Sequence, residues 1–327
     1  MHNHGRARTD WRIAYLTVEL YGASHAVKSH GRVVRLLARR GQLAFDRRIM
    51  KTIHLVRSTV VAAFFLAAVP SSTKTSAPRV SLPNTESRTL TSKKIGQKYD
   101  LLVSLPEDYT KSGRSYPVLY VLDGWHFPLM AFLQSNNQFS NRMRPVIIVN
   151  VSQGLGPDVM ALRARDFTPT KASPEPTSGG APAFLDFLEH EVIPFVDRTY
   201  RTIPSDRGLL GHSYGGLFAI YALEQRPALF QRIVAASPYL GWDNRLLLTE
   251  AQKRLRTLPK PIELDLSAGD DGLPGLAAAT EAFAKLLGEL KPAGLDYRFT
   301  LYPGQNHNSV RLVSFPAGLY WVYRPEK

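Results

Sequence analysis

Residues 208–223 read GLLGHSYGGLFAIYAL, and inside them Gly211, His212, Ser213, Tyr214 and Gly215 fit the pattern G-x-S-x-G. An apolar run precedes the serine and a run of helix-like periodicity follows it. The pattern therefore sits where a strand would turn sharply into a helix, a corner that lifts a hydroxyl clear of the backbone. Glycines on both sides allow the tight turn and the close approach of neighbouring chain. The plain alternative is a glycine-rich turn that carries a surface serine.

A serine hydroxyl is a weak nucleophile near neutral pH and needs a base. The chain has no cysteine, so thiol nucleophiles, disulfides and thiolate metal sites are excluded. Four histidines lie beyond residue 80: His126, His190, His212 and His307. His190 falls within an amphipathic helical pattern and reads as a surface or packing residue. His212 adjoins the serine and reads as structural, and His126, after Asp123-Gly124, could line a site. His307 stands in PGQNHNS, a polar loop between the last strand-like run and the last helix-like run, and is the expected general base. With the order nucleophile, acid, base along the chain, the orienting acid is expected in LDLSAGDDG. Asp271 is favoured, Asp270 stands close behind, and Asp243 is third; each could equally be a loop acid that caps the next helix. Two backbone N–H groups are expected to hold an oxyanion. One is that of Tyr214, at a helix start. The other is that of Trp125 in LDGWHF, where Gly124 lets the backbone come close. The resulting chemistry is acyl transfer: Ser213 attacks a carbonyl, His307 moves the proton, and water resolves an acyl-enzyme. It calls for no cofactor and no metal.

The elements that must position these groups are legible in the hydrophobic pattern. Residues 99–105, 117–122 and 145–151 are short apolar runs of the kind buried on both faces of a parallel sheet. Helix spacing covers 181–200, 214–225, 244–257 and 276–290, and a last helix starts at Ser309. Strand-like runs lie between them at 209–211, 232–237, 261–267 and 296–302. Strand and helix alternate, which predicts one doubly wound α/β domain with a mostly parallel sheet. Residues 152–180, rich in Pro, Gly, Ser and Thr, read as a long loop, either functional or a disordered excursion.

The formal net charge is +14, which by itself would suggest a nucleic-acid or anionic-membrane partner. Its distribution argues otherwise. Residues 1–79 hold 14 Lys and Arg against 3 Asp and Glu, whereas residues 80–327 hold 27 against 24. No basic patch interleaved with aromatics marks the body as a nucleic-acid binder. From Met50 the sequence has a basic start (Lys51, Arg57), an apolar stretch over 58–69 and small residues after it, the layout of a secretory signal peptide. The stretch is short for a transmembrane helix. The expected organisation is an upstream extension over 1–49, a signal peptide over 50–77, a linker over 78–94 and the catalytic domain over 95–325. The protein is then expected in the periplasm or outside the cell, with no stable membrane span after cleavage.

The segments VLYVLDGWHF, RARDFTPT, GHSYGGLFAIYAL, AASPYLGWD and GQNHNS, in this order over about 95–322, resemble the putative-esterase family of α/β-hydrolases. The R-x-R-D-F-T-P run resembles most its siderophore-esterase-like branch. The resemblance implies the α/β-hydrolase fold without a large cap domain, and a serine carboxylic-ester hydrolase acting on a small-molecule ester, siderophore-type or another acyl ester. It implies that Arg165, with Arg163, lies near the substrate, against the alternative of a salt bridge to Asp166. It also implies that Trp242 lines an acyl or aryl pocket or else serves packing, and that Gly124 borders the substrate. Because some members work with a Ser–His dyad, the acid is dispensable on this reading. Two rivals share the residues: an acyltransferase on the same triad, and a catalytically silent binding protein of the same fold.

Overall fold

The computed structural model describes residues 81–325 apart from 173, 271, 272 and 274. The expected extension over 1–49, the expected signal peptide over 50–77 and the candidate acid Asp271 lie outside the described residues.

Eight strands form one sheet among the described residues: β1 Thr85–Thr91, β2 Lys98–Ser104, β3 Tyr116–Leu122, β4 Ile147–Ser152, β5 Thr202–His212, β6 Arg232–Ala236, β7 Thr257–Gly269 and β8 Ala293–Tyr302. Their spatial order is β1-β2-β4-β3-β5-β6-β7-β8. The β1–β2 and β2–β4 pairs are antiparallel, and every pair from β4 to β8 is parallel. Parallel neighbours need crossovers, and helices supply them. The helices are α1 Tyr109–Ser112, α2 Phe127–Ser140, α3 Val159–Phe167, α4 Ala181–Phe187, α5 Ile193–Thr199, α6 Tyr214–Gln225, α7 Trp242–Arg254, α8 Leu276–Leu290 and α9 Val310–Val322. A π-turn over Leu188–Val192 joins α4 to α5, so the single helix expected over 181–200 is continuous in space.

Strand β3 shows why its sequence is apolar at every position. Val118, Tyr120 and Leu122 point into a core with Phe184, Phe218 and Leu217. The alternate residues Leu119 and Val121 point into a second core with Met130 and Leu133 of α2 and Phe315 and Leu319 of α9. A side-chain period of two, buried on both faces, leaves no polar position.

The structure differs from the sequence reading in four places. The expected linker is corrected over 85–91, where β1 forms. This strand, TESRTLT, is mostly exposed and joins the sheet through its backbone ladder to β2, so it carries no apolar alternation to read. The segment 152–180 contains α3. Helix α2 was not anticipated, since NNQ and an early proline blur its period; Pro128 sits in its first turn, where a proline is tolerated. Helix α7 also opens with a left-handed stretch, Asp243 to Arg245 at φ 45°, 54° and 63°.

Candidate active site

The carboxyl ends of β3, β5 and β8 deliver the candidate groups to one edge of the sheet, as open α/β sheets place their sites. Ser213 follows His212, the last residue of β5, and precedes Tyr214, the first of α6. It adopts φ 60° and ψ −118°, a conformation that costs a non-glycine residue roughly 1–3 kcal/mol. Backbone bonds on both sides impose it. The Ser213 N–H donates to the Ala236 carbonyl at 3.1 Å, and the Ser213 carbonyl accepts from Leu217 at 2.9 Å and Tyr239 at 3.1 Å. Gly211 is required here, because a Cβ on it would stand 2.1 Å from the Gly215 carbonyl oxygen. Tyr214 heads the helix, so its N–H belongs to the first turn, which has no intrahelical acceptor.

His307 Nε2 lies 3.0 Å from Ser213 Oγ. Its loop is knotted locally: Asn306 Oδ1 accepts from the backbone N–H groups of Asn308 and Ser309, both at 2.9 Å. It is also held from below. His212 Nε2 donates to the His307 carbonyl at 2.7 Å, with the two rings 4.5 Å apart. Burial, above all, keeps His212 well below the ordinary histidine range, so it is a neutral ring with its proton on Nε2. Burial, then the charges of Arg311 and Arg163, also lower the His307 pKa. Neutral His307 can accept the serine proton on Nε2, which puts its own proton on Nδ1. That atom is buried and has no partner among the described residues. Asp270 does not reach it: its Oδ1 accepts from the Gly304 N–H at 2.7 Å. Asp243 is elsewhere as well, accepting from Thr170 Oγ1 at 2.6 Å.

The corner after β3 faces the elbow. Asp123, at φ 71°, leads into a 3-10 turn over Gly124–His126 that carries the Trp125 N–H. The Asp123 carboxylate is fully buried and receives Arg163 in a fork, Nε to Oδ1 at 2.6 Å and Nη2 to Oδ2 at 3.0 Å. Asn150 Nδ2 donates to the Asp123 carbonyl at 3.1 Å. Gly124 is pressed against β4: a Cβ there would lie 2.2 Å from Ser152 Oγ. Arg163 also reaches the elbow, with Nη2 3.5 Å from the His212 carbonyl and its guanidinium 4.8 Å from the Trp125 ring. Burial pushes the Asp123 carboxyl above its ordinary value, against the pull of Arg163.

The residues expected near the substrate make these contacts within the protein. Arg163 is 4% exposed and joins the two corners. Arg165 is partly exposed, with its Nε bonded to Asp166 Oδ1 at 2.7 Å and its Nη2 to the Tyr99 hydroxyl at 3.1 Å. That is the salt bridge weighed as its alternative. Trp242 is 4% exposed and packs edge-on against Tyr214 at 5.8 Å, with its Nε1 donating to Thr170 Oγ1 at 3.1 Å. Together with the bond from the Tyr214 hydroxyl to Glu175 Oε1 at 3.3 Å, this docks the 152–180 segment beside the elbow. Gly124 serves packing against Ser152. His126 is buried under the site and pushed down to about 3 by burial, while His190 is exposed at the surface. Asp123 and Asn150 were missed from the sequence. A charged residue closing a wholly apolar strand was the available signal for Asp123; none existed for Asn150. Among the described residues no group of three or more His, Cys, Asp or Glu is placed to hold a metal ion.

The family described as "Putative esterase" matches residues 92–258. The ferri-bacillibactin esterase BesA of Bacillus subtilis is 28% identical over 265 residues, covering 75% of this chain and 91% of that protein. The siderophore triacetylfusarinine C esterase of Aspergillus fumigatus is 34% identical over 186 residues, 54% of this chain and 63% of that protein. Among solved structures, the BES protein from Bacillus cereus superposes with a TM-score of 0.69 at 26% identity, covering 77% of this chain and 100% of that one. The siderophore hydrolase EstB from Aspergillus nidulans gives 0.65 at 27% identity, with coverages of 77% and 100%.

Proposed function

The chain belongs to the esterase family and is a carboxylic ester hydrolase, and from that premise we propose that it works through a Ser213 acyl-enzyme on siderophore-type esters. One observation carries the mechanism: a serine held in a strained strand-to-helix corner with its Oγ 3.0 Å from the Nε2 of a neutral histidine. As Ser213 Oγ bonds to the ester carbonyl carbon, its proton passes to His307 Nε2. The carbonyl oxygen takes the negative charge, facing the N–H groups of Tyr214 and Trp125. Collapse expels the alcohol, which takes the proton from His307. Water then repeats the cycle on the acyl-enzyme, releasing the acid and free Ser213. Arg163 acts as a positioning residue that keeps the Trp125 turn in register with the elbow. Asp271 is the proposed acceptor for the His307 Nδ1 proton.

The substrate class is supported by the names of the relatives, which include esterases of bacillibactin and triacetylfusarinine C and an enterobactin and salmochelin hydrolase. Export, read from residues 50–77, belongs to the same proposal and is tested by the intact mass of protein secreted from an expression host. The mechanism is tested with a fluorophosphonate probe followed by intact mass and peptide mapping. A single adduct on Ser213 is expected; a folded sample that stays unlabelled, or is labelled elsewhere, overturns the assignment. Hydrolysis of a siderophore trilactone or triester, followed by chromatography with and without an alcohol acceptor, then separates hydrolysis from acyl transfer.

A further inference from the structure

Arg311 stands one helical turn beyond His307, in the first turn of α9. Its Nε donates to the Asn308 carbonyl at 2.8 Å, which anchors the root of the guanidinium. The two Nη groups have no protein acceptor among the described residues and are not sealed from solvent. The side chain is nevertheless half-buried. Its orientation follows from the helix. Phe315, four residues on and so on the same face, packs edge-on against His126 with ring centres 5.0 Å apart. His126 in turn meets the rings of Trp125 at 5.9 Å and His212 at 6.2 Å. The face of α9 that carries Arg311 is thus turned to the floor beneath Ser213 and His307.

The charges agree with this placement. Arg311 feels the attraction of Asp123 and the repulsion of Arg163, and it helps hold His307, His212 and His126 in their neutral forms. Asp123 is already engaged by the Arg163 fork. Among the described residues no carboxylate is hydrogen-bonded to the Arg311 guanidinium, whose Nε meets only the Asn308 carbonyl. Partial burial of a cation is costly unless an anion compensates it, and a guanidinium with two uncommitted Nη groups matches a carboxylate or phosphate in shape.

We propose that Arg311 is an anion-recognition residue of the active site, binding through its Nη donors a carboxylate, phenolate or phosphate carried by the ester substrate. The inference rests on the serine-esterase reading above and adds that the substrate is anionic near its scissile bond. It adds Arg311 to the arginines that the sequence suggested near the substrate, Arg165 and Arg163.

Three esters test it: phenyl acetate without a charge, 4-carboxyphenyl acetate with a carboxylate on the alcohol side, and monophenyl succinate with one on the acyl side. Each is compared with itself across wild type, Arg311→Gln and Arg311→Lys, so differences in intrinsic reactivity cancel. Arg311→Gln is expected to lower kcat/KM on at least one carboxylated ester by roughly tenfold to a hundredfold more than on phenyl acetate, chiefly through KM. Arg311→Lys is expected to restore part of it, keeping the charge but losing the fork. The ester that responds identifies the side of the substrate that bears the anion. Equal losses on all three esters, or none on either carboxylated one, overturn the proposal. A readout independent of turnover is the protection of Ser213 from fluorophosphonate by benzoate. Protection in the wild type should need roughly tenfold more benzoate in Arg311→Gln, and equal protection overturns the subsite. A wild type that neither hydrolyses any of the esters nor labels at Ser213 removes the serine mechanism itself, and the subsite with it.

Discussion

The corners that follow β5 and β3 lie on neighbouring strands, and each is built on a non-glycine residue with positive φ, Ser213 and Asp123. They are held by different means. The Ser213 elbow is held through the main chain, with glycine at 211 admitting the Gly215 carbonyl and backbone bonds from Leu217 and Tyr239. The Asp123 corner is held by side chains from far along the chain, Arg163 from α3 and Asn150 from β4. A strained turn can thus be fixed by glycine packing and main-chain bonds, or by a buried ion pair spanning forty residues. The second kind fails differently when it is cut.

The largest expected effect is at the Ser213 corner. Ser213→Ala should lower kcat by roughly 10⁴–10⁶ with the fold intact by circular dichroism; turnover near the wild-type level would remove Ser213 from the chemistry. Cutting the long-range clamp should cost less in rate and more in stability. Arg163→Met strands the Asp123 carboxylate in the interior, which should destabilise by roughly 3–5 kcal/mol in denaturant unfolding. By releasing the Trp125 turn it should lower kcat by roughly 10²-fold. Adding Asp123→Asn should recover part of the stability, and a double mutant that merely sums the two singles would show that the pair is no clamp.

Glu224 sharpens the contrast, as a buried carboxyl without a hydrogen-bond partner among the described residues. Burial and nearby Glu250 push it up to about 9, and both its oxygens lack a hydrogen bond. The folded state therefore holds a proton that the unfolded chain releases near its ordinary value of 4.5. Stability should fall as pH rises from about 4.5 to about 9, by at most roughly 1.4 kcal/mol per pH unit from this group. Glu224→Gln should flatten that slope, and an unchanged slope would place the cause elsewhere. For the elbow itself, the lowered His307 pKa puts the acid limb of kcat/KM below pH 6.5, where the base becomes protonated. A limb centred above 7 would contradict the burial and cation effects on that ring. The smallest effect is expected at Asp270, bound to Gly304: Asp270→Asn should change kcat less than roughly threefold, and Asp271→Asn more.

Much of the fold is legible in the amino-acid sequence. The strands at 98–104, 116–122 and 147–152 and the helices at 214–225 and 276–290 follow patterns that burial writes directly into residue type. The strand-to-helix corner at Ser213 and the polar loop carrying His307 were legible because each is built from residues adjacent in the chain. The roles of Arg163 and Arg165 were not. Whether an arginine meets a substrate, Asp123 or Asp166 depends on which carboxylate the fold brings within 3 Å, and R-x-R-D reads the same in each case. Trp242 is similar, since its spacing serves a pocket wall as well as the Tyr214 cluster that actually holds it.

What the sequence by itself determined was the order of elements, the strained corner at Ser213 and the residue types able to carry acyl chemistry. These depend on local sterics and on hydrophobic periods shorter than one element. Only the tertiary structure decided that Arg163 joins the two corners and that His212 carries the His307 loop. Ion pairs and hydrogen bonds are short-range, and the partners they join here lie 40 to 95 residues apart along the chain.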